Sequence, residues 1–465
     1  MKNLNRRTFL QKTSLGSAAA LVPNSIRSQN WNGPTQKNQK YLGGYAAPPL
    51  NVVKMAFIGV GYRGQGHAQQ WAQIEGTEIV GVCDLYSDLV EKTIQECKKY
   101  GKGNRHTNIA AYSGEADAWK KMLKEVKADA VVISTNWKNH AHMAIKSMLA
   151  GAHAFVEVPI GVTIAEMWNI IDTAEETQKH CMMLENVNYG REELLFLNLC
   201  RQGKIGPILH GEAAYIHELR WQMEEVDRGT GSWRTPNYAN RNGNLYPTHG
   251  LGPVAQYMNL ARGEDTFGKI VSYSTPNIGR NLYAAKKYGE EHRWNQYDFK
   301  GGDLNTSIIK THLGRTVLVQ WDETSPRPYS RLNLIQGALG TLAGFPTRVA
   351  FEGGFEDITD SHHQWVQGED LAKLYEQFEH PLYKRLGALA EKMGGHGGMD
   401  FMMRYRIVEC LQKGLPLDQN VYEGCFWSAV SPLSEKSVVE DGMPQAFPDF
   451  TRGRWKKTDP LTVIS

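Results

Sequence analysis

The sequence predicts an α/β protein, with an N-terminal doubly wound parallel sheet and a C-terminal α+β domain carrying one open, largely antiparallel sheet. Three observations predict it. An apolar run of strand length, Val52 to Ile58, leads directly into Gly59-x-Gly61-x-x-Gly64 and then a helical pattern. Strand-like and helix-like stretches alternate from there to about residue 188, as βαβ units do. Beyond that point the alternation stops, and strand-like runs are grouped between long helical stretches. At 465 residues the chain exceeds one ordinary core, so two domains are expected.

The first thirty residues stand apart from this pattern. NRRTFLQK pairs Arg6 with Arg7 ahead of Phe9, Leu10 and Lys12, and the small-residue stretch TSLGSAAALVP follows. This is the pattern of a twin-arginine export signal, and its apolar part is too short to span a bilayer. Residues 1–30 are therefore expected to be a signal peptide, and the protein to be exported, to the periplasm. They carry five bases and no acid, so their removal leaves 47 bases against 49 acids. That balance argues against nucleic acid or an anionic membrane as partner. No run of 18 or more apolar residues suggests a membrane span. Residues 31–50, rich in Asn, Gln, Gly and Pro, read as a linker. The six cysteines show no CxxC or zinc spacing and read mostly as buried small residues.

The first domain is expected over residues 51–188. A lone GxGxxG is a weak signal, but here a strand precedes it, a helix follows, and Asp84 closes the next strand, TEIVGVCD. In a Rossmann unit Gly59 permits the tight turn, Gly61 admits a pyrophosphate to the backbone N–H groups, and Gly64 lets helix and strand pack closely. Asp84 would bond a ribose 2′-hydroxyl and repel a 2′-phosphate, which favours NAD over NADP. Further strands are expected at ADAVVIST (128–135), AHAFVEV (152–158) and CMMLEN (181–186). HMAIKSMLA and IAEMWNIIDTAEETQK supply helices between them.

The second domain is expected over residues 189–465, opening with GKIGPILHGEAAYIHE. Strands are expected at KIVSYST, TSIIKTHL, TVLVQWDE and RLNLIQGA, and helices around 249–261 and 369–413. It should cap the carboxyl edge of the parallel sheet, where such sheets bind ligands. Within it, YPTHGLGP sets Tyr246 and His249 three positions apart, either as a packed start of a helix or as two proton-handling groups. GGHGGMD places His396 among glycines, either near a ligand or in a loop leading into a helix. His362 and His363 lack companion ligands at metal spacing, and no metal is expected.

GVGYRG, Asp84, VEVP and GKIGP together make residues 51–450 resemble the Gfo/Idh/MocA oxidoreductase superfamily. Two departures stand out. Val158 occupies the place of that superfamily's Glu-Lys-Pro lysine, and Leu245 the place of an aspartate four residues before its sugar-facing histidine. VEVPIG, MMLENVNYGREE, NLYPTHGLGPVAQYMN, SPLSEKSV and the twin-arginine pattern resemble glycoside hydrolase family 109. That resemblance implies an α-N-acetylgalactosaminidase with tightly bound NAD. Its route would be oxidation at C3, elimination across C2 and C1, water addition and re-reduction, in place of a two-carboxylate mechanism.

The resemblance also implies site residues. His249 would relay the proton of the 3-hydroxyl, and Tyr246 would assist it or contact the nicotinamide. Tyr62 and Arg63 would lie along the pyrophosphate, with Arg63 as a phosphate partner. Trp137, Lys138, Asn139 and His140 would contact the cofactor, and Glu157 and Asn186 would flank the nicotinamide ribose. Tyr215, Arg234, Pro247, Thr248 and Tyr329 would join Tyr246 and His249 around the sugar. A homo-oligomer is implied by analogy alone. The rival readings are an NAD-dependent sugar dehydrogenase or ketosugar-forming enzyme, which would accumulate NADH, and a non-catalytic sugar-binding protein.

Overall fold

The computed structural model describes residues 40–103 and 105–462; the twin-arginine segment and residues 31–39 of the expected linker lie outside them. β1 (Val53–Ile58) has only Lys54 exposed, as befits a central strand covered on both faces. β2 (Thr77–Cys83), β3 (Ala110–Tyr112), β4 (Ala130–Ile133), β5 (His153–Val156) and β6 (Cys181–Met183) complete a six-stranded sheet in the order β3-β2-β1-β4-β5-β6. Every neighbouring pair is parallel. The order reverses between β1 and β4, so the carboxyl ends of those strands open the ligand crevice of a doubly wound sheet. α1 (Tyr62–Ala72), α2 (Ser87–Tyr100), α3 (Ala118–Glu125), α4 (Trp137–Leu149) and α5 (Ile164–Thr177) accompany it. The five expected strands form; β3 escapes sequence reading because AAY is too short to carry a pattern.

α6 (Arg191–Arg201) leads into the second sheet, whose strands are β7 (Ile208–Ile216), β8 (Phe267–Ser274), β9 (Leu304–Thr311), β10 (Thr316–Asp322), β11 (Leu334–Gly337), β12 (Gly340–Ala343), β13 (Arg348–Phe351), β14 (Val366–Gln367) and β15 (Gln445–Ala446). Their order is β14-β13-β12-β11-β7-β10-β9-β8-β15, antiparallel throughout except where β7 meets β10. β10 buries Val317, Val319 and Trp321 alternately, the period of a sheet with one covered face. The helices of this half are α7 (Gly231–Asn240), α8 (Thr248–Tyr257), α9 (Gly279–Lys287), α10 (Leu371–Phe378), α11 (Pro381–Met393), α12 (Met399–Lys413) and α13 (Val421–Val439). α13 packs against β8, β6, α5 and α8, and so joins the two sheets.

Two packing features go beyond the sequence reading. The long helical stretch at 369–413 is three helices, broken by Pro381 at the start of α11 and by the glycines between α11 and α12. α11 and α12 return to the first sheet: Leu382, Leu386, Phe401 and Met402 share one core with Val53, Phe57, Trp71 and Val132. Residue 188 therefore ends a stretch of chain, while the packing of the first half draws on residues two hundred positions later. Residues 40–50 are a packed strap within the expected linker. Leu42 and Ala47 are buried, the Leu42 N–H donates to the Tyr422 hydroxyl, and Ala46 bridges to Pro416. All six cysteines are free thiols, and five are buried.

Candidate active site

The glycine loop fits a dinucleotide. Gly59 has φ of 83°, and a Cβ there would lie 2.7 Å from the Ser134 carbonyl oxygen. A Cβ on Gly64 would lie 1.9 Å from the Gly59 oxygen, so only glycine allows α1 to pack this closely. At Gly61 an added Cβ meets nothing within 4 Å, which leaves the backbone open to a ligand. Gly61 caps α1 without a side-chain bond, so the first-turn N–H groups remain available to an anion. Asp84 supports the loop directly: it accepts from the Val60 N–H at 2.7 Å and from the Tyr86 N–H at 3.1 Å. Tyr62 stands almost fully exposed beside it.

Arg63 turns toward carboxylates. Its Nε donates to Glu157 at 2.7 Å, and its two terminal nitrogens grip Asp400 at 2.6 and 2.9 Å. Where a phosphate partner was expected, the guanidinium ties the glycine loop to α12, held by the buried Asp400 and the half-buried Glu157. Asn186 donates to the same Asp400 at 2.8 Å. Glu157, expected near the ribose, also accepts from His67 at 2.5 Å. Burial would raise the Glu157 carboxyl, but Arg63 and His67 hold it well below the usual carboxylate range. Burial, then Arg404 and Arg63, push His67 down to about 3. A neutral His67 must therefore accept at Nδ1 from Arg404 (2.8 Å) and donate at Nε2 to Glu157. His396 lies in the loop leading into α12 and bonds Asp400 at 2.9 Å from an exposed position.

The groups expected around the sugar form an aromatic chamber. Tyr246 precedes α8, with Pro247 as the cap and Thr248 as the first helical residue. Its ring lies 5.7 Å from Trp137, 4.7 Å from Tyr215 and 5.0 Å from His249, with the Arg234 guanidinium 4.7 Å above it. Trp137 begins α4 just past the end of β4, so the chamber abuts the carboxyl edge of the first sheet. Burial holds the Tyr246 phenol above its ordinary value, against the pull of Arg234, which makes it a proton donor at neutral pH. Arg234 is 7% exposed, and its Nε has no hydrogen-bond partner among the described residues. Tyr329 stands half-exposed at the rim, edge-on to Tyr215 and His217.

The remaining expected contacts separate from this cluster. Lys138 is exposed and Asn139 half-buried. His140 is buried with both ring nitrogens against backbone carbonyls, Pro159 at 2.7 Å and Thr135 at 2.9 Å. It braces the turn after β4 and has no ring nitrogen left for a nucleotide. His362 and His363 are exposed, and no three His, Cys, Asp or Glu residues gather at metal spacing among the described residues.

Several groups were missed from sequence. Glu185, wholly buried after β6, accepts from His249 Nδ1 at 2.6 Å. Its signal was an acid closing an apolar strand run. His217 bonds the Tyr215 hydroxyl at 2.9 Å, and the two-residue spacing along one strand face announces such a pair. Asp400 and Arg404, one helical turn apart, had no partner visible in the sequence.

Comparison with known proteins follows the same division. Residues 53–185 match the oxidoreductase family with NAD-binding Rossmann fold, and residues 189–457 match the glycosyl hydrolase 109 C-terminal domain. The chain is 59% identical over 443 residues to glycosyl hydrolase family 109 protein 1 of Akkermansia muciniphila, covering 95% of this chain and 91% of that one. It is 49% identical over 467 residues to the family 109 protein of Shewanella putrefaciens, covering both chains completely. Levoglucosan dehydrogenase in complex with NADH and levoglucosan superposes with a TM-score of 0.61 at 16% identity, over 85% of this chain and 99% of that one. Apo scyllo-inositol dehydrogenase from Lactobacillus casei gives 0.60 at 13%, over 86% and 99%. At such identities these two show a shared fold. The chain belongs to glycosyl hydrolase family 109, built on the NAD-binding Rossmann fold of the Gfo/Idh/MocA oxidoreductases.

Proposed function

We propose that the protein hydrolyses terminal α-N-acetylgalactosaminides, or related glycosides, by an NAD-dependent cycle of oxidation, elimination, water addition and reduction at C3, C2 and C1. One observation carries the reading. Tyr246 and His249, the groups suited to proton transfer, pack on Trp137, which opens the helix after β4, and on Glu185, two residues past β6 of the nucleotide-binding sheet. Proton-handling groups and the cofactor crevice thus share one edge.

The residues divide the work. The Gly59–Gly64 loop, the N-terminus of α1 and Asp84 would hold NAD. When bound, NAD supplies the reversible oxidation at C3 that acidifies the C2 hydrogen. His249 takes the proton of the 3-hydroxyl and later returns it, as an imidazole does near neutral pH. Tyr246, protonated at rest, donates a hydrogen bond to a sugar oxygen. Arg234, always charged, offers its unpartnered Nε–H to a polar substituent. Tyr215 and Tyr329 present faces for the ring to stack on. A cycle that ends with the cofactor as it began suits an exported protein. The twin-arginine pattern at Arg6 and Arg7 supports export after folding, with the cofactor already loaded.

The test is a panel of aryl α- and β-glycosides, with and without the 2-acetamido group, assayed without added NAD. Turnover of the α-acetamido substrate, with deuterium entering C2 when the reaction runs in D2O, is the expected result. Accumulating NADH would indicate a dehydrogenase. Turnover in which C2 is neither labelled from D2O nor depleted of pre-installed deuterium would indicate direct displacement at C1.

A further inference from the structure

His249 takes its hydrogen-bonding partner from the other half of the molecule. No acid stands in its own segment, Tyr246-Pro247-Thr248, and Glu185 lies 64 positions earlier, just past β6. The contact is short, 2.6 Å from Nδ1 to Oε1, and Glu185 has no exposure to solvent. No Lys or Arg pairs with Glu185 among the described residues, so its carboxylate is not one end of an ion pair like Glu157 or Asp400. It is held in place from several directions. The Val187 N–H donates to Oε1 at 3.3 Å, and the Gln419 side chain donates to the Glu185 backbone carbonyl at 2.9 Å. A Cβ on Gly252, one turn along α8, would come within 3.0 Å of the Glu185 Cγ. Glycine there leaves the acid just enough room beneath the helix.

We propose that Glu185 is a positioning residue for His249, holding the imidazole in the tautomer protonated at Nδ1 so that Nε2 is the nitrogen presented to the sugar hydroxyl. A carboxylate can only accept, so the hydrogen bond places the proton on Nδ1. Nε2 has no hydrogen-bond partner among the described residues, while the Tyr215 and Tyr246 rings, at 5.4 and 5.0 Å, restrain the tilt of the imidazole. The catalytic consequence rests on the function proposed above. When Nε2 takes the hydroxyl proton, the ring becomes an imidazolium whose charge Glu185 balances. The same proton returns when the hydroxyl is restored, and Nδ1 keeps its own throughout.

The tautomer is tested without any substrate. In full-length protein carrying ¹⁵N-labelled histidine, the His249 signal is assigned by its loss in His249→Ala. At neutral pH that signal should show a protonated Nδ1 and a bare Nε2. Glu185→Gln, which is close in shape and can donate as well as accept, should weaken or reverse this pattern while bound NAD and the other histidine signals persist. Protonation at Nε2 in the unmutated protein would overturn the proposal, whether or not Glu185→Gln folds. So would a pattern that Glu185→Gln leaves unchanged.

Kinetics then separate positioning from support of the fold. Glu185→Gln should lower kcat on the order of 10²-fold with KM nearly unchanged, and Glu185→Asp should recover part of the loss. Combined with His249→Ala, Glu185→Gln should cost almost nothing more, because both changes remove one function. Additive losses would overturn the assignment. Failure of every glycoside to turn over would count against the proposed reaction and leave the tautomer result standing.

Discussion

The ion-pair brace around Arg63 and the aromatic chamber around Tyr246 both stand at the carboxyl ends of the first sheet, yet they are built on opposite principles. In the brace each charged side chain has a partner: Arg63 pairs with Glu157 and Asp400, and the neutral His67 links Glu157 to Arg404. In the chamber buried polar atoms go without, among them Arg234 Nε, Thr248 Oγ1 and Glu185 Oε2. A buried polar group left unmatched costs free energy, so a fold keeps several together only where they serve something else. Satisfied charges hold the second half of the chain onto the glycine loop. Unsatisfied ones are suited to the polar atoms of a ligand.

This contrast can be broken by mutation. The largest expected effect is on activity. His249→Ala should reduce glycoside turnover by roughly 10²- to 10⁴-fold while thermal stability and bound NAD stay close to the original. An equal loss of stability would place His249 in the brace class. Next comes Asp400→Ala, which takes a buried carboxylate away from Arg63, Arg404 and Asn186 and should lower stability by about 3–5 kcal/mol in denaturant titration. An unchanged midpoint would mean the brace is ornamental.

Arg234→Met sharpens the comparison from the other side. Removing a buried charge without a carboxylate partner should leave stability unchanged or raise it. The same change should raise KM about 10- to 100-fold, the worth of a charged hydrogen bond to substrate. A clear drop in stability with KM unaffected would contradict the assignment. A smaller effect is expected from Asp84→Asn, which should narrow the preference for NAD over NADP in direct binding measurements.

Acid and alkaline pH should destabilise the fold through different buried groups. His67 and His153 are held at about 3, and His180 and His380 at about 4, mainly by burial. Their folded values lie below the unfolded value near 6.5. The unfolded chain therefore binds more protons between those limits, and stability should fall as pH drops from about 6.5 toward 4. Glu157 and Asp400, both held low, add a further loss below the ordinary carboxylate range. In the chamber, burial raises Tyr215 and Tyr246 instead. Their stabilising effect is present below pH 10 and lost above it. Melting temperatures across pH should decline at both ends; a flat acid limb would contradict the neutral buried histidines.

What could be read in sequence follows from the range of the forces involved. The Rossmann half declared itself because a βαβ unit is local: a strand, a glycine turn and a helix occupy adjacent residues. Gly64 against the Gly59 carbonyl, five positions earlier, is such a case. Tyr246 and His249 were likewise legible as a pair, being neighbours at the start of one helix.

The rest depended on contacts that sequence order hides. α13 gave no periodic signal because it is buried almost all round, where amphipathic spacing has nothing to report. The carboxylate partners of Arg63 were hidden because Asp400 lies 337 residues further on. Glu185 was passed over because its partner sits in the other half. The sequence by itself determined the sheet, the nucleotide loop and the residue types available for chemistry, since short-range sterics and hydrophobic period are enough for those. Only the tertiary structure decided which charges cancel and which remain open, because electrostatic pairing in a buried site is set by distance in space.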